Sequence, residues 1–280
     1  MRISIRHETR YDYEEPVTGA VMRLRLRPPD TSAQTVQSWA VTVNDAPIER
    51  WITSGYGDAE ALWRSTGKLS EIAIVAEGEV TTIDTAGVTR RLQGAVRPLL
   101  FLRDTALTRP SDALQALAAD ARSDSGPLDA MHRLVLAVHE AVRFKAGSTH
   151  FGTTAAEALE QGTGVCQDQS HVFIAAARLL GIPARYVAGY LRDPDRPDDA
   201  HDPHAWAEGW VDGLGWVGFD CALGNCPKEG HVRLTVGLDA EDAAPIRMTV
   251  GHGGDATLSS DVEIAALPLD GSTQAQIQQQ

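Results

Sequence analysis

The chain has 280 residues, 43% of them hydrophobic, and a formal net charge of −13. That length holds one large domain or two of ordinary size, and the apolar share is that of a soluble globular protein. The acidic balance, with no basic block, argues against nucleic-acid partners and against anionic membranes, because nothing offsets phosphate repulsion.

The opening MRISIRHETRYDY has no apolar h-region, so no secretory signal is expected. No apolar run approaches the ~20 residues that cross a bilayer. A cytoplasmic location is the expectation. The cysteines, Cys166, Cys221 and Cys226, are too few for a disulfide framework. The pair Cys221 and Cys226 suits half a zinc site, but no second pair exists, so no metal is expected.

The first third alternates with period two. Ile3, Ile5, His7, Thr9, Tyr11 and Tyr13 share one face; Met22, Leu24 and Leu26 oppose Arg23, Arg25 and Arg27 in a second run. Trp39, Val41 and Val43, then Ile72, Ile74 and Ala76, repeat the pattern. Alternation with polar partners means a sheet with one wet face. Pro28-Pro29, Asn44-Asp45 and Gly55 to Gly57 mark turns. Residues 1–104 are therefore expected to form an antiparallel β domain.

Helical signals follow. Ser111 or Asp112 caps ALQALAADAR. Leu128, Met131, Leu134, Val135, Val138 and Val142 form one helical stripe. Thr154 with Glu157 has capping-box spacing, and that helix closes at Gly162. The next helix starts near Cys166 and stops at Gly181-Ile182-Pro183. Strands ARYVAGYL, HAWAEGWV and GWVGFDC come next, with RLTVGL and IRMTVG as further candidates. The polar, proline-rich loop RDPDRPDDAHDP is expected to be exposed. The fold class is α+β. Residues 105–268 would be its core, and the polar tail 269–280 would be disordered.

Cys166 is the residue with chemistry. A thiol is nucleophilic only as thiolate. The first turn of a helix lowers a thiol pKa, because its N–H groups are unpaired and its dipole end is positive. Gly162 and Gly164 let the backbone turn sharply into that helix. A cysteine is often a small core residue, but this one sits at a glycine-flanked helix start beside Gln167, Asp168 and Gln169.

A cysteine nucleophile needs a base, and the base needs an orienting group. His171 points about 140° away from Cys166 on the same helix. His132 and His139 lie toward the polar side of theirs. His204 opens a strand, with Trp206 and Glu208 on its face. A hairpin with that strand, centred on Asp212, brings Asp220 across from His204, where a carboxylate fixes an imidazole tautomer.

With those residues in view, GTGVCQDQSHVFIAAARLLGIPARYVAGY and HAWAEGWVDGLGWVGFD resemble the core of the bacterial transglutaminase-like proteins, members of the papain-like thiol superfamily. YDYEEPV and RLRLRP resemble that family's N-terminal β region, and VRLTVGLDAEDAAPIR its segment after the triad. The resemblance covers residues 1 to about 250 and implies Cys166 as nucleophile, His204 as general base and acid, and Asp220 as orienter. It also implies a sheet packed on the cysteine-bearing helix. Three places depart from the pattern. FDCALGNCP replaces Asp-Pro-Thr, Ser170 precedes His171 where an aromatic residue is usual, and Leu238 and Ala240 replace an arginine and a tyrosine. These bear on substrate preference more than on catalysis.

The expected function is acyl transfer on a peptide or carboxamide through a Cys166 thioester, with a peptide or protein as substrate and no cofactor. Water as acceptor makes a cysteine peptidase or amidase; an amine makes a transglutaminase. A catalytically inactive peptide-binding module is the alternative of another class. A zinc hydrolase using His201, His204, Cys221 and Cys226 lacks the H-E-x-x-H helix. Gln167, Trp206 and the FKAGSTHF segment are the candidates for a second oxyanion donor or groove wall. A tryptophan on a strand is more often core.

Overall fold

The computed structural model describes residues 1–92, 94, 96–193 and 203–268. The two alternating runs at the start join into one strand, β1 (Arg2–Leu24). An irregularity between Asp12 and Val17, and Gly19 at φ +100°, re-aim the alternation so that pairing continues. β2 (Gln34–Val43), β3 (Ala46–Pro47), β4 (Ile52–Thr53) and β5 (Ala59–Thr82) complete the first region. β5 lies antiparallel between β1 and β2. Ile3, Ile5, Met22, Leu24, Val41, Ile72 and Ile74 bury the shared face, as the alternation predicts.

β6 (Val88–Thr89) and a short 3-10 turn (Pro98–Leu102) lead into the helices. α1 (Asp112–Ala121) is capped by Ser111, whose hydroxyl accepts the Leu114 N–H. α2 (Pro127–Ala141) buries the predicted stripe, and β7 (Arg143–Phe144) follows it. α3 (Ala155–Gln161) carries the Thr154–Glu157 capping box and ends at Gly162 in the left-handed region. β8 (Thr163–Gly164) then pairs in parallel with β7. α4 (Cys166–Leu179) is buried on nearly every side, with Val172 to Ala177 inside the core. Such a helix belongs at the centre: the other helices cover it, and its other side lies on a sheet of β9 (Ala184–Leu191), β10 (His204–Val211), β11 (Gly215–Phe219) and β12 (His231–Gly237). The sheet is antiparallel in the order β12-β9-β10-β11-β6. α5 (Ala240–Ala243) closes this part.

The chain then returns to its beginning. β13 (Ile246–Val250) and β14 (Ala256–Leu267) both pair with β1, so residues 246–267 sit with the first sheet and not in the core range 105–268. β6 crosses the other way, from the first 104 residues into the core sheet. β14 buries only Val262 and Ile264, which explains its weak signal. No described helix is long and apolar enough to cross a membrane. Residues 194–202 of the loop expected to be exposed, and the tail 269–280 expected to be disordered, lie outside the described residues.

The period-two pattern put Arg25 on the wet face, but it is buried and ion-paired with Asp58. It also donates to the Asp242 and Val236 carbonyls at 2.8 and 2.6 Å. The pairing continues across the regions: Asp58 to Arg233 at 3.5 Å, Arg233 to Glu208 at 3.5 Å, and Glu208 accepting from Arg185 at 2.7 Å. The Arg185 guanidinium stacks 3.9 Å over Trp216. Removing Asp58 would leave the buried Arg25 guanidinium without a carboxylate and Arg233 with Glu208 alone. Asp58→Ala is expected to cost about 3–5 kcal/mol in a urea unfolding experiment; a loss below about 1 kcal/mol would mean that water reaches the network.

Candidate active site

Four residues turn the chain into α4. Val165 is the extended N-cap, at φ −107°. Asp168 reaches back, and its Oδ2 accepts the Val165 N–H at 2.8 Å and the Thr149 hydroxyl at 2.6 Å. A Cβ at Gly164 would lie 2.8 Å from the Asp168 Cβ, so this close approach needs glycine. Cys166 is thereby the first helical residue, half-buried, with its carbonyl accepting from Ser170 at 2.7 Å. The N–H groups of Cys166 and Gln167 occupy positions with no intrahelical acceptor.

His204 opens β10 and hydrogen-bonds both Cys166 and Asp220. Its Nε2 lies 2.7 Å from Asp220 Oδ2, which leaves Nδ1 for the sulfur. Burial favours neutral imidazole, but the Asp220 charge and hydrogen bond, with the Cys166 contact, outweigh it and hold the pKa well above its ordinary value. Asp220 is fully buried. Burial opposes its ionisation, yet the His204 charge and the hydrogen bonds from His204 and His231 hold its carboxyl well below the carboxylate range. Its Oδ1 accepts the N–H groups of Ala222 and Leu223 at 2.9 and 3.3 Å.

The hairpin differs from the expected register. Ala207 pairs with Phe219 and Val211 with Gly215, so the turn centres on Gly213, one residue later than expected. Asp220 leaves the ladder to bridge with Asn225. Its carboxylate meets His204 diagonally, at a distance that strand neighbours two residues apart can span.

His231, the first residue of β12, was not among the expected site residues. Its Nδ1 accepts the Lys228 N–H at 3.1 Å, so Nε2 carries the hydrogen that it donates to Asp220 at 2.9 Å. The sequence does hold a signal, because His231 opens a strand as His204 does. What joins the two is the order β12-β9-β10, which is set by long-range pairing.

The ligand atoms of His204, Asp220 and His231 lie within 4.8 Å of one another. A cation on His231 Nε2 would force a hydrogen onto Nδ1, where it would face the Lys228 N–H, donor against donor. The set therefore fits protons better than a metal. Burial pushes the thiols of Cys221 and Cys226 up, each helped by a carboxylate (Asp220 and Asp84). Zinc ligation needs the opposite. His201, the remaining candidate ligand, lies outside the described residues.

The oxyanion candidates separate. Trp206 is 3% exposed and packs with Val187 and Val236, its ring against those of His204 and His231. It packs beside both imidazoles and also lines a small cavity with Gln34, Glu208 and His231. The Gln167 side chain donates to the Phe151 carbonyl at 3.1 Å, which fixes it to the FKAGSTHF segment. The backbone N–H groups at the start of α4 are the better-placed donors. His171 is core, accepting the Ala240 N–H at 3.0 Å. His139 meets the Cys221 carbonyl at 2.8 Å, and His132 packs edge-on against Phe219.

Two buried histidines away from the chemistry set a pH dependence. Burial pushes both His7 and His171 down to about 4. Above pH 6.5 both are neutral whether the chain is folded or not. Between 6.5 and 4 only the unfolded chain takes up the proton, so stability falls as pH falls, by up to about 3 kcal/mol for each residue. The midpoint of thermal unfolding should drop steadily across that window. A flat profile would show that these imidazoles remain accessible to protons in the fold.

Comparison with known proteins gives this geometry a family. Residues 115–221 match the model of the transglutaminase-like superfamily core, and residues 3–81 that of the bacterial transglutaminase-like N-terminal region. An uncharacterized protein of Mycobacterium tuberculosis is 26% identical over 96% of this chain and 94% of its own. One from Mycobacterium leprae is 25% identical over 95% and 99%. The crystal structure of a proposed cysteine protease from Cytophaga hutchinsonii superposes with a TM-score of 0.72 at 25% identity, over 96% of this chain and 92% of that one. The chain carries a transglutaminase-like core and a bacterial transglutaminase-like N-terminal region.

Proposed function

We propose that this protein is a cysteine-dependent acyl-transfer enzyme acting on peptide or carboxamide bonds, and that water is its usual acceptor, which makes it a cysteine peptidase or amidase. The observation that carries this is His204, largely enclosed at the start of β10, hydrogen-bonded to Cys166 on one side and to the fully buried Asp220 on the other, whose carboxyl is held well below the carboxylate range. The likeness to a proposed cysteine protease supports the same class. A reducing compartment keeps all three cysteines as free thiols, and on that ground we place the reaction in the cytoplasm.

The steps follow from the geometry. The His204 imidazolium stabilises the Cys166 thiolate, which attacks the carbonyl carbon. The first N–H groups of α4 receive the developing oxyanion. Nδ1 of His204 gives its proton to the leaving nitrogen, the C–N bond breaks and a thioester remains. Neutral His204 then takes a proton from water, the resulting hydroxide adds to the thioester, and collapse expels the thiolate and a carboxylic acid. A primary amine in place of water would give a new amide.

A library of peptide carboxamides, incubated with the protein with and without a primary amine and followed by mass spectrometry, separates these outcomes. Free acids in both samples support hydrolysis. Amine adducts in preference to acids make it a transglutaminase. No product from any member, with intact protein throughout, would support a binding module.

A further inference from the structure

We infer that His231 is a positioning residue for this site and that the first sheet holds it in place; the inference rests on the acyl-transfer reading above. His231 and His204 donate to the same Asp220 oxygen, at 2.9 and 2.7 Å. Two donors at one oxygen, with two backbone N–H groups at the other, leave the carboxylate no freedom to rotate. His231 is itself fixed on three sides: by the Lys228 N–H, by Asp220, and by the Trp206 ring at 5.3 Å, edge to face.

The strand around His231 is held from the first sheet. Gln34, buried, grips the Arg233 backbone at both ends of its amide, donating to the carbonyl at 2.9 Å and accepting from the N–H at 2.8 Å. Thr82 donates to the Glu229 carbonyl. Val232 and Leu234 enter the apolar core of the first sheet, and Arg233 pairs with Asp58. Residues on both sides of His231 are thus tied to the N-terminal region. That region acts as a brace: it fixes His231, His231 fixes Asp220, and Asp220 sets the tautomer and charge of His204.

The rate at which iodoacetamide alkylates Cys166 tests this without a known substrate. Below the thiol pKa that rate follows the thiolate fraction, and above it the rate no longer depends on the imidazolium. In the full chain, with labelled peptides read by mass spectrometry, His231→Gln keeps a donor where Nε2 was. His231→Asn keeps an acceptor for Lys228 but loses that donor. At pH 5.5 His231→Asn should be slower by about tenfold and His231→Gln by less than about threefold, with all rates alike at pH 9. Gln34→Ala should fall at least about threefold at pH 5.5 only. Circular dichroism checks that each variant is folded.

His231→Asn at the wild-type rate, or Gln and Asn equally slow, would reduce His231 to packing and overturn the inference. An unchanged Gln34→Ala would remove the brace. His204→Ala is the control. If it too leaves the pH 5.5 rate untouched, the acyl-transfer reading fails. If it slows labelling while His231→Asn does not, only the positioning role fails.

Discussion

Cys166→Ala is expected to abolish the proposed amide turnover, with kcat lowered by at least about 10⁴-fold and the fold unchanged. The size follows from the chemistry, since no other described thiol can replace the sulfur. Cys221 is buried, and burial raises both it and Cys226 away from the thiolate form. Stability changes little because the Cys166 side chain is only half-buried, and the capping of α4 runs through Asp168, Val165 and Thr149. Activity within tenfold of wild type, measured on protein free of contaminating hydrolases, would end the triad account.

Asp220→Asn should lower kcat by about 10²–10⁴-fold with a smaller change in KM. The side chain keeps its shape, but an amide presents both an oxygen and an NH2 group. Its oxygen is drawn to the Ala222 and Leu223 N–H groups that Oδ1 now accepts. The NH2 then faces two Nε2–H groups, donor against donor. His204 relieves the clash by moving its hydrogen to Nδ1, where it blocks proton uptake at the sulfur side. The charge that raises the His204 pKa is also lost. The basic limb of the kcat/KM profile, where the His204 imidazolium is lost, should therefore shift downward. An unshifted profile would mean that Asp220 does not govern the ionisation of His204.

What could be read in the sequence was what local chemistry decides. The caps at Ser111 and Thr154, the stop after α4 and the apolar stripe of α2 depend on neighbours a few residues away, and each is found in the structure. Cys166 was legible for the same reason, as glycine, cysteine and helix start coincide within five residues. His204 and Asp220 were legible through a hairpin, although the register is displaced because the turn centres on Gly213. The rest depends on partners far along the chain. β14 exposes most of its side chains and is defined by pairing with β1. Arg25 reads as a wet-face residue until Asp58, thirty-three positions on, is brought to it. His231 opens an ordinary strand, and only the sheet order aims it at Asp220.

The central claim is that Cys166 carries an acyl group during turnover. Activated peptide esters test it most directly, because they acylate the nucleophile whatever the natural leaving group. The protein would be mixed with a set of peptide p-nitrophenyl esters, quenched in acid within seconds, digested and mapped by mass spectrometry. The acyl group should be found on Cys166, discharge on addition of hydroxylamine, and be absent from His204→Ala. Label spread evenly over Cys166, Cys221 and Cys226, or unaffected by the loss of His204, would contradict the account.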